Sequence, residues 1–141
     1  MRTNFNAMKT FLTILIVTFF ITPVYAGEVD GKGLRCTLKN EEWGPAYFIF
    51  EGGHVSEVWV GDATPLKIKS TPPAEYVTTV NQIKWDRPAL HYLDRKTLKL
   101  TYLTSTAKLI SSCQIMTPKD IEAALQKQIE ALKEAMKDNK L

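Results

Sequence analysis

The stretch GLRCTLKN, residues 33–40, carries one of the chain's two cysteines, and AKLISSCQIM, residues 107–116, carries the other. Apolar and polar residues alternate in both stretches, and each cysteine falls on the apolar side of its alternation. Two inward cysteines near the two ends of a β-rich region can bond only if the first and last strands are neighbours. The pattern therefore predicts a Cys36–Cys113 disulfide and a sheet that closes on itself.

Short strands and turns fill the chain between the two cysteines. The candidate strands and hairpins are AYFIFEGGHVSEVWV (46–60), PLKIKS (65–70), YVTTVNQIKW (76–85) and LHYLDRKTLKLTYL (90–103). Gly52 and Gly53 can supply the positive φ angles of a tight hairpin turn, whereas Pro72 and Pro73 cannot pair inside a sheet. The pattern predicts a mainly β fold over residues 27–116, a small antiparallel barrel or sandwich of about seven or eight strands.

After residue 116 the spacing of apolar residues changes from the alternation of a strand to the three- or four-residue spacing of a helix. Thr117 is a good N-cap and Pro118 suits the first helical position, so an amphipathic helix is predicted over residues 117–141. Its apolar stripe consists of Ile121, Leu125, Ile129, Leu132 and Met136. Two partners for this stripe stay open: the chain's own sheet, or a second helix of another copy or another protein, which would make the protein a homo-oligomer or a complex.

The beginning of the chain has the pattern of a secretory signal peptide. Arg2 and Lys9 precede a largely apolar run, residues 11–21, that is too short to span a bilayer, and Ala26 suits a signal-peptidase cut. Met8 would serve equally well as the first residue. We expect export to the periplasm or the medium, with residues 1–26 removed and no stable membrane anchor afterwards. Disulfides persist in such compartments.

The length and net charge of the chain indicate how many domains it forms and which partners are unsuitable. Removal of residues 1–26 leaves 115 residues, enough for one domain, and lowers the net charge from +3 to +1 because Arg2 and Lys9 are lost. A nearly balanced charge argues against nucleic acid as a partner, since such proteins present a basic face.

No motif in the sequence indicates catalysis or a cofactor. A hydrolytic site would have to combine the histidines and serines His54, His91, Ser56, Ser111 and Ser112, yet no GxSxG motif is present. The same histidines with the two cysteines lack the spacing of zinc ligands. The acidic pair at residues 41 and 42 is read as solvated charge. We therefore expect neither a cofactor nor a metal, and no enzyme activity is evident.

The aromatic residues are the remaining candidates for recognition. Trp59 and Trp85 lie in predicted strands and are expected in the core. Trp43 stands beside Gly44 and Pro45 in a predicted turn, so Trp43 with Tyr47 is the candidate binding surface.

The stretches IKWDRPALHYLDRKTLKLTY (83–102) and SSCQI (111–115) resemble a loose group of small exported bacterial β-barrel proteins of unknown function. The resemblance covers Ile83 to Ile115 and implies a compact β fold only. Exported lysozyme inhibitors are also small disulfide-closed barrels, but their Ser-Gly-x-x-Tyr-like motif is missing here. The sequence favours an exported module that binds a protein or a small molecule, with inhibition of a cell-wall hydrolase or a small periplasmic enzyme as alternatives.

Overall fold

The computed structural model describes residues 29–39 and 44–138, so the predicted signal segment and Trp43 lie outside the described residues. The described chain contains ten strands and one helix. They are β1 (Gly33–Leu38), β2 (Ala46–Glu51), β3 (His54–Val60), β4 (Ile68–Ser70), β5 (Ala74–Glu75), β6 (Val77–Thr78), β7 (Gln82–Trp85), β8 (Leu90–Asp94), β9 (Lys99–Leu103), β10 (Lys108–Met116) and α1 (Pro118–Asp138). The predicted count of seven or eight strands was therefore too low, because β5 and β6 are only two residues long.

All pairings in the sheet are antiparallel, and the first and last strands are neighbours. The strand order is β4-β3-β2-β1-β10-β9-β8-β7-β6, with β5 paired to β3 off this path. Cys36 on β1 lies directly opposite Cys113 on β10, and the two form a disulfide with a Cα–Cα distance of 4.0 Å. The predicted disulfide and the antiparallel β fold are confirmed.

The curled sheet is open between β4 and β6, so it forms a half-barrel. Thr71, Pro72 and Pro73 interrupt the edge beside β3, between β4 and β5, as expected for a segment whose prolines cannot pair inside a sheet. Beyond the prolines, β5 pairs with the start of β3, where Ala74 lies opposite Val55. Strands β4 and β5 thus both lie on the β3 edge of the opening, and the chain passes through Tyr76 to β6 on the opposite edge.

The β2–β3 turn is tied to the segment before β1. Gly52 and Gly53 adopt φ angles of 59° and 76°, the left-handed conformation that a tight hairpin turn requires. The carboxylate of Asp30 accepts a hydrogen bond from the Gly53 amide at 3.1 Å and another from the Tyr76 hydroxyl at 2.5 Å. Burial, followed by this hydrogen bond and the nearby negative charge, raises the pKa of Tyr76, so the phenol stays protonated and continues to donate.

Inward-facing side chains of the curled sheet form the main core. Its buried members are Leu34, Cys36, Phe48, Phe50, Val55, Ala74, Tyr76, Ile83, Trp85, Leu93, Leu100 and Cys113. Phe50 packs edge-on against Tyr76 and Trp85, with ring centroids 5.2 and 5.7 Å apart. The core location predicted for Trp85 is confirmed, since only 3% of its side chain is exposed.

The helix packs on the outer face of β1 and β3. Thr117 caps it: its hydroxyl accepts a hydrogen bond from the Asp120 amide at 3.1 Å and donates one to the Asp120 carboxylate at 2.7 Å. Ile121 and Leu125 are buried against Tyr47 and Val58 of the sheet. The docking depends on Gly33, because a Cβ atom at that position would overlap Cδ1 of Ile121.

The apolar stripe of α1 divides into two parts. Ile121, Leu125 and Ile129 are buried, whereas Leu132 and Met136 are 39% and 50% exposed. The stripe is therefore partly covered within the chain, and assembly through its exposed end stays a prediction.

Two aromatic residues lie where the sequence did not predict them. Tyr47, assigned with Trp43 to a binding surface, is buried beneath α1 because its position on β2 faces outward to the helix. Trp59, expected in the core, is 40% exposed. It lies near the end of β3, where the sheet leaves one end of its interior open.

Candidate functional site

The interior of the curled sheet contains a pocket of about 370 Å³ at the end opposite the β2–β3 turn. We call it the wide-end pocket. It is lined by Cys36, Leu38, Gly44, Pro45, Ala46, Phe48, Glu57, Trp59, His91, Leu100, Tyr102, Leu109 and Ser111. Its volume lies at the lower end of the range for small-molecule sites, about 300–1,000 Å³.

Strand β3 brings a carboxylate and an indole into this pocket. Side chains alternate along the strand, so Glu57 and Trp59 share the inward face with the buried Val55. Backbone hydrogen bonds fix this part of β3: the Glu57 amide donates to the Thr71 hydroxyl at 3.0 Å, and the Thr71 amide donates to the Glu57 carbonyl at 2.9 Å. Glu57 therefore lies on a strand that is paired with β2 on one side and hydrogen-bonded to Thr71 on the other.

The Glu57 carboxylate is half-buried and makes no hydrogen bond or ion pair with any residue in the described ranges. Loss of water around the carboxylate raises its pKa above the ordinary value of 4.5. A group that has lost solvent and gained no protein partner favours binding of a ligand that can supply the missing interaction.

His91 also lines the wide-end pocket, on strand β8. It is 1% exposed, and its Nδ1 donates a hydrogen bond to the Ala89 carbonyl at 2.7 Å. Burial lowers the pKa of His91, and the bond to Ala89 offsets part of that shift. The ring is therefore neutral at pH 7, with Nε2 as an acceptor.

Aromatic rings hold His91 in place from three strands. The imidazole stacks on Trp85, with ring centroids 4.6 Å apart and an interplanar angle of 9°. Tyr102 and Phe48 meet it edge-on at 4.8 and 5.7 Å. This arrangement follows from the sheet register, because Trp85 and Tyr102 are the cross-strand partners of His91 on β7 and β9.

A smaller pocket of about 150 Å³ lies at the other end of the interior. We call it the narrow-end pocket. It is lined by Val29, Lys32, Leu34, Phe50, Ile83, Leu93, Arg95, Leu98 and Ile115. Arg95 is already engaged there, since its guanidinium donates to the carbonyls of Thr79 and Val80 at 2.8 and 3.3 Å. The narrow-end pocket is mostly a continuation of the apolar core.

The histidines and serines considered for catalysis do not form a hydrogen-bonded relay in the described part of the chain. Ser111 lines the wide-end pocket with His91, but their strands β10 and β8 are separated by β9, a distance of about two spacings of 4.8 Å. On the outer face, His54 lines a groove with Glu51 and Ser56, yet its Nδ1 donates to the Gly52 carbonyl at 2.8 Å. Ser112 is exposed on the outer face of β10.

The disulfide also removes the zinc alternative, because both cysteines are bonded to each other and neither thiolate is free. Among residues 29–39 and 44–138, no group of three or more His, Cys, Asp or Glu side chains is placed to hold a metal ion. In the same ranges, no helix has the length and apolar character needed to cross a membrane.

Sequence reasoning missed Glu57 and the role of Trp59. It named His91 and Ser111 without placing them together. The alternation of side chains along β3 could have placed Glu57 and Trp59 on the inward face. Both faces of this strand carry apolar residues, however, so the sequence alone does not show which face is inward. Comparison with protein families, curated proteins and solved structures finds no match for this chain.

Proposed function

We propose that the protein is an exported binding module that takes a small molecule into the wide-end pocket. One observation carries the proposal: a half-buried carboxylate without a partner in the described residues and a neutral imidazole line one aromatic pocket inside the curled sheet. Small-molecule sites commonly combine an apolar lining with a few convergent polar groups and shifted pKa values. The signal-peptide pattern and a disulfide are both consistent with export.

Binding is favoured over catalysis because the polar groups of the pocket are not joined to one another. A general base or nucleophile needs a partner within hydrogen-bond reach, and neither Glu57 nor Ser111 bonds to His91. Inhibition of a cell-wall hydrolase has no specific contact in its favour and stays a prediction.

The test uses the neutral, apolar fluorophore N-phenyl-1-naphthylamine, whose emission rises when it leaves water. We expect saturable binding with a single site by the purified protein. Ser111→Phe fills the wide-end pocket and should weaken binding at least about tenfold, the equivalent of about 1.4 kcal/mol.

Ser112→Phe is the matched control. Ser112 is the next residue on β10 and lies on the outer, exposed face, so the same substitution there leaves the pocket unfilled. It should leave binding within about twofold of the wild-type value. Thermal unfolding checks that both variants are folded. Fluorophore binding that is absent, or that is equally strong in wild type and folded Ser111→Phe, would contradict the proposal.

A further inference from the structure

The charge of the wide-end pocket points to the class of its ligand. Glu57 is the one acidic side chain among the described residues that line this pocket, and no lysine or arginine lines it. His91 is neutral and contributes an acceptor at Nε2. The pocket thus offers one negative charge and one imidazole acceptor, while the Ser111 and Tyr102 hydroxyls can donate or accept and carry no charge.

The nearest cation by sheet register does not neutralise Glu57. Lys69 on β4 lies opposite Trp59, on the same face of the sheet. Its aliphatic chain runs over Gly61, where a Cβ atom would meet Cε of Lys69 at 2.5 Å. No ion pair joins Lys69 to Glu57 in the described structure, so the carboxylate has no positive partner there.

The rings of the pocket suit a ligand with both a positive charge and an apolar body. Trp59 and Tyr102 line the same pocket as Glu57, and Phe48 is the cross-strand partner of Glu57 on β2. A cation is attracted to the face of an aromatic ring, and the attraction increases when water is excluded. The same rings provide apolar area for a hydrocarbon or aromatic body.

We propose that the wide-end pocket binds an organic cation, with its ammonium group at the Glu57 carboxylate and its apolar or aromatic body among Trp59, Tyr102 and Phe48. This inference rests on the proposed function of the pocket. An anionic ligand would face the Glu57 charge and the His91 acceptor together. A neutral ligand would leave the ionised carboxylate without a counter-charge in a partly dry site.

Three probes with a common body and different charge test the inference. They are 2-phenylethylammonium, the neutral 2-phenylethanol and the anionic 3-phenylpropionate, each titrated at pH 7.5 by isothermal calorimetry. We expect the ammonium to bind at least about tenfold more tightly than the alcohol, because a charge-assisted hydrogen bond is about twice as strong as a neutral one. The carboxylate should bind most weakly.

Glu57→Gln should remove the preference for the ammonium while the alcohol keeps its affinity within about threefold. Glu51→Gln is the matched control, since Glu51 is exposed on the outer face of β2 and should leave the order of the three probes unchanged. Glu57→Asp keeps the charge and should retain part of the preference, which separates the loss of charge from a general disturbance of the pocket.

The outcomes distinguish this inference from the proposed function. If the ammonium and the alcohol bind with equal affinity and Ser111→Phe prevents the binding of both, the pocket binds small molecules without a preference for cations. If the preference for the ammonium persists in Glu57→Gln, recognition at this carboxylate is wrong. If the neutral fluorophore does not bind, or binds folded Ser111→Phe as tightly as wild type, the proposed function itself is wrong.

Discussion

The two ends of the sheet interior are built from the same strands, yet they differ in what the inward positions carry. Two positions apart on the same strand, side chains point to the same face of the sheet but lie nearer to opposite ends of the interior. The pairs, with the narrow-end residue first, are Phe50 and Phe48 on β2, Val55 and Glu57 on β3, and Leu93 and His91 on β8. At the narrow end these positions are apolar and packed. At the wide end two of the three are ionisable and line an open pocket. One end of the interior is thus filled by packed apolar side chains, and the other is where the proposed function places the ligand.

The largest effect is expected at the narrow end. Phe50 is 1% exposed and packs on Tyr76 and Trp85, so Phe50→Ala should lower the free energy of unfolding by about 4 kcal/mol through lost burial and a cavity. Trp59→Ala removes a larger aromatic side chain at the wide end and should cost less than about 2 kcal/mol, because Trp59 is already 40% exposed. Urea unfolding measures both. Equal losses would mean that the two ends contribute alike to folding.

The disulfide should have the next largest effect. It closes a loop with a sequence separation of 77 residues between the two central strands of the sheet. Replacement of both cysteines by alanine should lower the free energy of unfolding by about 3 kcal/mol, and a reducing agent should lower the melting temperature of wild type only. A wild-type melting temperature that is unchanged by complete reduction would show that the bridge does not stabilise the protein.

A smaller effect is expected where the helix meets the sheet. Gly33→Ala places a methyl group against Ile121, with the Phe48 carbonyl oxygen at 3.2 Å, and should cost about 2 kcal/mol by overpacking. Gly61→Ala meets the flexible chain of Lys69 instead and should cost less than about 1 kcal/mol. Because α1 lies on the outer face, fluorophore affinity should stay unchanged in Gly33→Ala. Loss of binding at full stability would show that the helix shapes the interior.

Local patterns were sufficient to predict most elements of the fold, but not the two-residue strand β5. The alternation around each cysteine gave the pairing of β1 with β10, Gly52 and Gly53 gave the first hairpin, and Thr117 gave the start of α1. Each of these depends on a few neighbouring residues. The signal-peptide prediction falls on residues outside the described ranges and stays a prediction.

The candidate site depends on long-range placement, which a single sequence does not contain. Strands β2 and β3 lie between the interior and α1, so both of their faces carry apolar residues and the alternation does not show which face is inward. Tyr47 was therefore assigned to the surface, and Glu57 was not singled out. His91 gains its environment only when the register places Trp85 and Tyr102 on either side.

The smallest effect concerns the pH dependence of stability through His91 and Glu57 of the wide-end pocket. His91 has its pKa lowered by burial, so the unfolded chain takes up a proton below about pH 6.5 while the folded chain resists it. Its contribution to stability is therefore lost as the pH falls below 6.5, with a slope of at most about 1.4 kcal/mol per pH unit. Glu57 acts in the opposite direction: its raised pKa makes the folded chain bind a proton earlier, which adds stability as the pH falls toward 4.5.

Because the two groups oppose each other, the contribution of His91 should be clearest in a Glu57→Gln background. Urea unfolding between pH 7.5 and 5 should show a steeper loss of stability on acidification in Glu57→Gln than in wild type. His91→Gln added to that variant should flatten the slope, since glutamine does not titrate and can still donate to the Ala89 carbonyl. His54→Gln, at an exposed histidine on the outer face, is the control and should change nothing. Equal slopes in all four proteins would mean that the polar groups of the wide end are hydrated in the folded state, and a dry, charge-selective pocket would then lose its physical basis.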